Sequence, residues 1–253
     1  MAYRENESFG TASIIKVPLL MTYFRKCQEQ IFDLSDTVSK KDKYIIDLPS
    51  ENGVFKYFPD GTKVPVRLLA MLMIGMSDNS ATNVFLTDFI KQGEFNRTMQ
   101  KLGYKSTKLA VNRLSAKLFN SATTDIGFST PQEASTILAD IIDKKTLTGY
   151  YAEEILRYMS MTSAGTRLTR KVPFRPSFKA KITRYGSKSG SYSKLNIIND
   201  LAFFTTTGGQ TIVMSCMLNL QNKDGLSTEA VDSMQNLLLG KIGEMAFRQL
   251  FEK

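Results

Sequence analysis

The feature that most constrains the fold is a change of hydrophobic period late in the chain. After about Lys179 the segment "AFFTTTGGQTIVMSCML" reads as two strands joined by Gly208-Gly209, a hairpin signal. Asp224-Gly225 then closes the strand region, and residues 228–251 read as one long C-terminal helix. Before that point the spacing of apolar residues is helical: helices are expected at about 13–30, 81–91, 94–102, 131–142 and 151–159. The run "VPVRLLAMLMIGMS" (residues 64–77) is too uniformly apolar for a surface helix and predicts a buried one. Residues 104–130 form a long, irregular, hydroxyl-rich stretch, of a length that compact domains reserve for function or leave disordered. The order implies an α/β (α+β) architecture in which an antiparallel sheet is flanked by helices and joined to an all-α lobe. The expected layout is one domain, with an all-α lobe over about 20–178 and an α/β lobe over about 1–19 and 179–253. A groove between lobes is a usual place for a site.

Composition narrows the chemistry. The 253 residues include no histidine and two cysteines, Cys27 and Cys216, which removes the usual zinc sites and every mechanism that uses a histidine base. A hydrolase built from this chain must use lysine, a carboxylate or a hydroxyl instead. Each cysteine lies in an apolar segment and reads as a buried thiol rather than as half of a disulfide. The net charge of +9 is spread along the chain, densest over 167–188, with no nucleic-acid-binding signature beside it. A solvated basic face is the expected reading. No segment is apolar enough to span a membrane, and "AYRENES" directly after Met1 is no signal peptide.

Against that background "TASIIKVPLL" stands out. A helix places Ser13 and Lys16 on one face, and Ile14, Ile15, Val17 and Leu20 surround the ammonium with apolar groups. Burial favours the neutral amine, and a neutral lysine can take a proton from a serine. The bland alternative is a lysine that snorkels to the surface. Two more triplets follow: Ser77-Asp78-Asn79 after the buried helix, and Lys188-Ser189-Gly190 on the strand before the hairpin. Each alone is weak. Ser191 to Lys194 repeats the S-x-x-K spacing, Ser77-Asp78-Asn79 suits a helix cap, and Lys188-Ser189-Gly190 suits a loop. All three in this order and context are not readily supplied by chance.

With these motifs the chain resembles the class A β-lactamases, within the wider group of serine β-lactamases and penicillin-binding proteins. "YRENESFGTASIIKVPLL", "SDNSATN" with its Asn83, "STPQEASTIL" and "KSGSYSKLNIINDLAFF" carry the likeness along nearly the whole chain. The resemblance implies that Ser13 is the nucleophile that forms an acyl-enzyme with a β-lactam or an acyl-D-Ala-D-Ala peptide. Lys16 would be its base or hold its proton relay. Ser77 would pass a proton to the leaving nitrogen, and Asn79 would bind the substrate's amide side chain and help fix Lys16. Lys188, Ser189 and Ser191 would hold the substrate's carboxylate, with Gly190 in the same strand. The backbone N–H groups of Ser13 and Ser191 would form the oxyanion hole. No cofactor, metal or nucleic acid is implied, a monomer is expected, and family analogy points to a periplasmic or secreted home.

Two departures from the family stand in the sequence. Class A enzymes carry an omega-loop glutamate that activates the deacylating water. Counting forward from "LGYKSTKL" places it at Arg113 and counting back from "STPQEA" near Ser115, yet no Asp or Glu occurs between Tyr104 and Thr124. Asp125 is then expected either to latch onto Arg113 or to be solvated. The family also has a helix and two strands before the nucleophile helix, whereas Ser13 comes almost at once, which implies a fragment or an exposed sheet edge. The readings that follow are a class A-like serine hydrolase with slow deacylation, a D-alanyl-D-alanine carboxypeptidase or related esterase, a degenerate ligand-binding member of the fold, and a basic nucleic-acid binder.

Overall fold

The chain runs from a two-residue strand, β1 (Phe9–Gly10), into a 3-10 turn (Ala12–Ile15) that continues as helix α1 (Lys16–Gln28). The structure, a computed structural model, describes residues 2–46, 48, 53–121, 123–161, 167–172, 181–219 and 227–251; the Asp224-Gly225 turn lies outside them. The helix expected from residue 13 thus begins as a tighter 3-10 turn. Pro18 is the third residue of α1, where no intrahelical N–H bond is lost.

A short antiparallel ladder pairs β2 (Thr37–Ser39) with β3 (Lys63–Pro65), and β3 leads directly into α2 (Val66–Gly75). The expected buried helix is therefore shorter at its start, because residues 63–65 are pulled into strand pairing. Helix α3 (Asn79–Val84) passes into a π turn (Phe85–Phe89), so the single helix expected over 81–91 is divided. Helix α4 (Gln92–Lys101) follows. The long stretch 104–130 is less irregular than its composition suggests. It holds β4 (Lys108–Leu109), the one-turn helix α5 (Ala116–Phe119) and β5 (Gly127–Ser129). β5 lies between β1 and β4 in a small antiparallel sheet, so the lobe expected to be all-α also carries strands.

Helix α6 (Pro131–Ile142) starts and ends where the sequence places it. Thr130 accepts a hydrogen bond from the N–H of Glu133 at 3.1 Å, and Pro131 opens the helix with a φ already suited to it. Helix α7 (Gly149–Met159) precedes the main sheet, β6 (Ile182–Tyr192), β7 (Ile197–Thr206) and β8 (Thr211–Asn219), antiparallel in that order. The C-terminal helix α8 (Thr228–Phe251) closes the chain.

β7 is buried on both faces, which explains its nearly unbroken apolar run. Leu201 and Phe203 face the helical body and join its core, while Ile198, Ala202 and Phe204 pack with Leu239 and Phe247 of α8. The first of these cores continues through α1, α2, α6 and α7 without a break, so helical body and sheet share one interior. Cys27 is buried as expected; Cys216 is only half-buried, and both thiols are free. No helix among the described residues is long and apolar enough to cross a membrane.

A ring cluster packs around Tyr23 of α1. Tyr23 stacks on Phe32 at 5.4 Å and meets Phe85 and Phe89 edge-on at 5.1 and 5.0 Å. Such pairs add to the burial of the rings themselves. Tyr23→Ala is expected to lower the unfolding free energy by about 3–5 kcal/mol, as measured by urea denaturation. A loss below about 1 kcal/mol would show that the cluster collapses around the gap.

Candidate active site

Ser13 lies inside the 3-10 turn and Lys16 at its end, where the Lys16 N–H donates to the Ser13 carbonyl. A 3-10 turn has three residues per turn, so side chains three apart eclipse one another more closely than on an α-helix. The turn therefore sets the Lys16 side chain over Ser13. Lys16 has no solvent exposure, whereas Ser13 is half-buried and open to a reactant.

A buried ammonium needs acceptors, and the Ser77-Asp78-Asn79 loop supplies them. Lys16 Nζ donates to Asn79 Oδ1 at 2.6 Å, to the Ser77 carbonyl at 2.8 Å and to Ser77 Oγ at 3.3 Å. Ser77 sits at φ 57, a left-handed conformation rare for a side chain with a Cβ, and such strain concentrates at functional sites. Asp78 has a different task. Its Oδ1 takes the Ala81 N–H as the cap of α3, and its Oδ2 takes the Val54 and Phe55 N–H groups at 2.8 Å each. The cap reading is thus correct for the aspartate, while its two neighbours turn to the lysine.

The third motif closes the site from the sheet. A Cβ on Gly190 would lie 2.7 Å from the Ser13 nitrogen and 2.8 Å from the Thr11 carbonyl oxygen, so only glycine lets β6 approach the turn this closely. The Ser13 N–H is one of the orphan donors at a helix start, and it faces this strand. Ser189 is half-buried and Ser191 is exposed on the same strand. Lys188 is fully buried and donates to the Ser189 carbonyl at 2.8 Å. Burial, then the charges of Lys16 and Arg167, push its pKa well below the usual lysine range.

Two residues at this site were not singled out from the sequence. Arg167 stands at φ 51 and its Nη1 donates to the carbonyls of Gly190 and Asn199 at 2.8 and 2.6 Å. Its only sequence signal is membership of the basic patch over 167–188. Asp200, fully buried in β7, accepts the Leu168 N–H at 3.1 Å. Burial pushes its carboxyl up to about 6, against the opposing pull of Arg167. An aspartate interrupting an apolar strand was the signal available for it.

The expected latch between Arg113 and Asp125 is absent, and Asp125 is not solvated either. Arg113 donates to the Ile45 carbonyl, while Asp125 is 2% exposed and accepts the Ala12 and Gly127 N–H groups. The residue between the two counted omega-loop positions is Leu114. Asn83 grips both of its backbone groups: Asn83 Nδ2 donates to the Leu114 carbonyl at 3.0 Å and Oδ1 accepts its N–H at 2.8 Å. The Leu114 side chain is fully buried.

Comparisons with known proteins bear on the family and the fold. A family model described as "Beta-lactamase enzyme family" matches residues 1–250. Beta-lactamase ROB-1 of Haemophilus influenzae is 28% identical over 86% of this chain and 67% of its own length. A beta-lactamase from Sphaerobacter thermophilus superposes with a TM-score of 0.81 at 22% identity, over 98% of this chain and 86% of that one. A beta-lactamase from Chitinophaga pinensis gives 0.82 at 18%, over 99% and 88%. A leucine-to-glutamate mutant of PBP-A, in an acyl-enzyme complex with penicillin G, gives 0.79 at 19%, over 100% and 86%.

Asp200 makes a pH-dependent prediction. Its folded pKa, about 6, lies above the unfolded value of 3.8, so the folded state binds the extra proton and stability falls as pH rises through that window. Asp200→Asn removes the charge and is expected to stabilise the protein at pH 7 by about 1–3 kcal/mol. The gain should fade as pH falls from 6 toward 4, which thermal unfolding at several pH values would check.

Proposed function

Because the chain belongs to the beta-lactamase enzyme family, we propose that it is a serine acyl-transfer enzyme that forms an acyl-enzyme with β-lactams through Ser13 and deacylates slowly. The observation that carries this reading is the contact of Lys16 Nζ with Ser77 and Asn79, one 3-10 turn from Ser13. With its amine neutral, Lys16 takes the Ser13 Oγ proton, and it hands that proton on to Ser77 once Ser77 has protonated the leaving nitrogen. Ser13 Oγ attacks the lactam carbonyl, the C–N bond breaks, and Ser77 passes a proton to the leaving nitrogen. Asn79 and the strand 188–191 hold the substrate, with Lys188, Ser189 and Ser191 on its carboxylate. Gly190 lets the Ser13 and Ser191 N–H groups converge on the developing oxyanion, where one donor is worth about 3–4 kcal/mol. Arg167 adds positive charge beside the carboxylate site.

Deacylation needs a water and a base. The residue that Asn83 holds in the omega-like loop is a leucine, and a leucine cannot take a proton from water. That observation favours a second reading, in which a D-alanyl-D-alanine carboxypeptidase or related esterase works on cell-wall peptides and is merely trapped by β-lactams. The domain layout that supports both is a single catalytic domain, since one core runs through helices and sheet. Family analogy places such an enzyme in the periplasm or outside the cell.

Time-resolved intact-mass measurement with penicillin G tests the proposal. A stoichiometric adduct that persists for hours is expected, and Ser13→Ala should form none. An unmodified wild-type protein would overturn the acyl-enzyme reading, and an adduct gone within seconds would overturn slow deacylation. Leu114→Glu, which puts a carboxylate where the loop has none, is expected to shorten the adduct lifetime at least about tenfold. Release of D-alanine from an acyl-D-Ala-D-Ala peptide would select the carboxypeptidase reading.

A further inference from the structure

The stretch 104–130 meets the turn that carries Ser13 through the pairing of β5 with β1. β1 pairs with β5 in register Phe9↔Ser129 and Gly10↔Phe128, and the Thr11 N–H donates to the Gly127 carbonyl at 2.9 Å. There the backbone ladder ends. Ala12, the next residue, turns to φ 42, a left-handed conformation that an alanine rarely adopts. Its N–H points back toward the loop and meets a side chain instead of a carbonyl: Asp125 Oδ1 lies 3.0 Å from the Ala12 nitrogen and 3.1 Å from the Gly127 nitrogen.

Three further observations single out this carboxylate. It is 2% exposed and has no ion-pair partner among the described residues, an arrangement that burial alone opposes and that pushes its pKa up. Room for it is made by Gly10, where a Cβ would come within 2.9 Å of Asp125 Oδ2 and 2.7 Å of Ile197 Cδ1. And the strained residue it holds directly precedes Ser13, whose nitrogen is packed against Gly190 with no slack. Relaxing Ala12 to a right-handed conformation would swing the Ser13 N–H and Oγ away from β6.

We propose that Asp125 is a positioning residue for the nucleophile: its carboxylate accepts the Ala12 N–H and so holds Ala12 in the left-handed turn that aims Ser13. This rests on the reading of Ser13 as the nucleophile. In this role the loop acts as a strap on the nucleophile turn rather than as the carrier of a water-activating base.

The test combines acylation by penicillin G, followed by intact mass across a range of concentrations, with hydrogen exchange of the free protein. Asp125→Ala is expected to slow acylation at saturation by roughly 10- to 100-fold, the scale of a small misplacement of reacting atoms, with little change in the half-saturating concentration. Asp125→Asn keeps an oxygen for the Ala12 N–H and should acylate within about threefold of wild type. Ala12→Gly, which adopts positive φ freely, should restore most of the rate in the Asp125→Ala background. A merely structural aspartate would lower thermal stability without this rescue. Acylation of Asp125→Ala at the wild-type rate, or no recovery with Ala12→Gly, would overturn the proposal. Should Asp125→Ala fail to fold, Asp125→Asn and the double variant still decide it. Should wild type form no adduct, the acyl-enzyme reading fails on its own. The positioning claim then stands or falls on whether the peptide containing Ala12 and Ser13 loses exchange protection in the Asp125 variants.

Discussion

The site depends on one buried ammonium. Lys16 lies in the core of the helical body with no exposure to water, and a charge there is tolerable only if its protons are accepted. Its acceptors come from a loop 61 to 63 residues away, so satisfying Lys16 fixes where the start of α3 sits against the start of α1. Asp78 ties the same loop to residues 54 and 55, which keeps the acceptors from drifting. The left-handed Ser77 between them is the local cost of pointing a carbonyl, a hydroxyl and an amide at one nitrogen.

A second buried lysine raises the demand. Burial first, then the charges of Lys16 and Arg167, depress the pKa of Lys188, so the strand meets the 3-10 turn across a cluster of basic side chains. Asp200 offsets part of that charge from within β7, at the expense of burying a carboxylate whose own pKa rises to about 6. The aspartate is better explained by the charges it faces than by any contribution to stability.

The stretch 104–130 is held in place largely through its main chain. Asn83 holds Leu114 by its backbone, Tyr192 donates to the carbonyls of Leu118 and Ser121, and Asp125 reaches the Ala12 N–H. Each of these bonds engages the main chain on one side. The backbone of the loop is anchored by these bonds, and the Leu114 side chain adds its own burial in the core.

Much of the molecule could be read from the chain before folding. Helix α6 was set by Thr130 and Pro131 and the hairpin by Gly208-Gly209, because these signals act between residues near in sequence. The order of the three triplets was equally readable and led to the family, and the absence of an acidic residue over 104–124 could be read as a departure from it. The division of 81–91 into a helix and a π turn, and the strands hidden in the hydroxyl-rich loop, were not readable, since packing against distant elements decides them. Nor was the fate of Asp125, which neither pairs with Arg113 nor meets water. By itself the sequence determined which groups this chain can offer for chemistry. Only the tertiary structure decided which of them meet, because the partners of Lys16, Ala12 and Leu168 lie tens of residues or more away, and a buried donor is satisfied by whatever acceptor the fold brings to it.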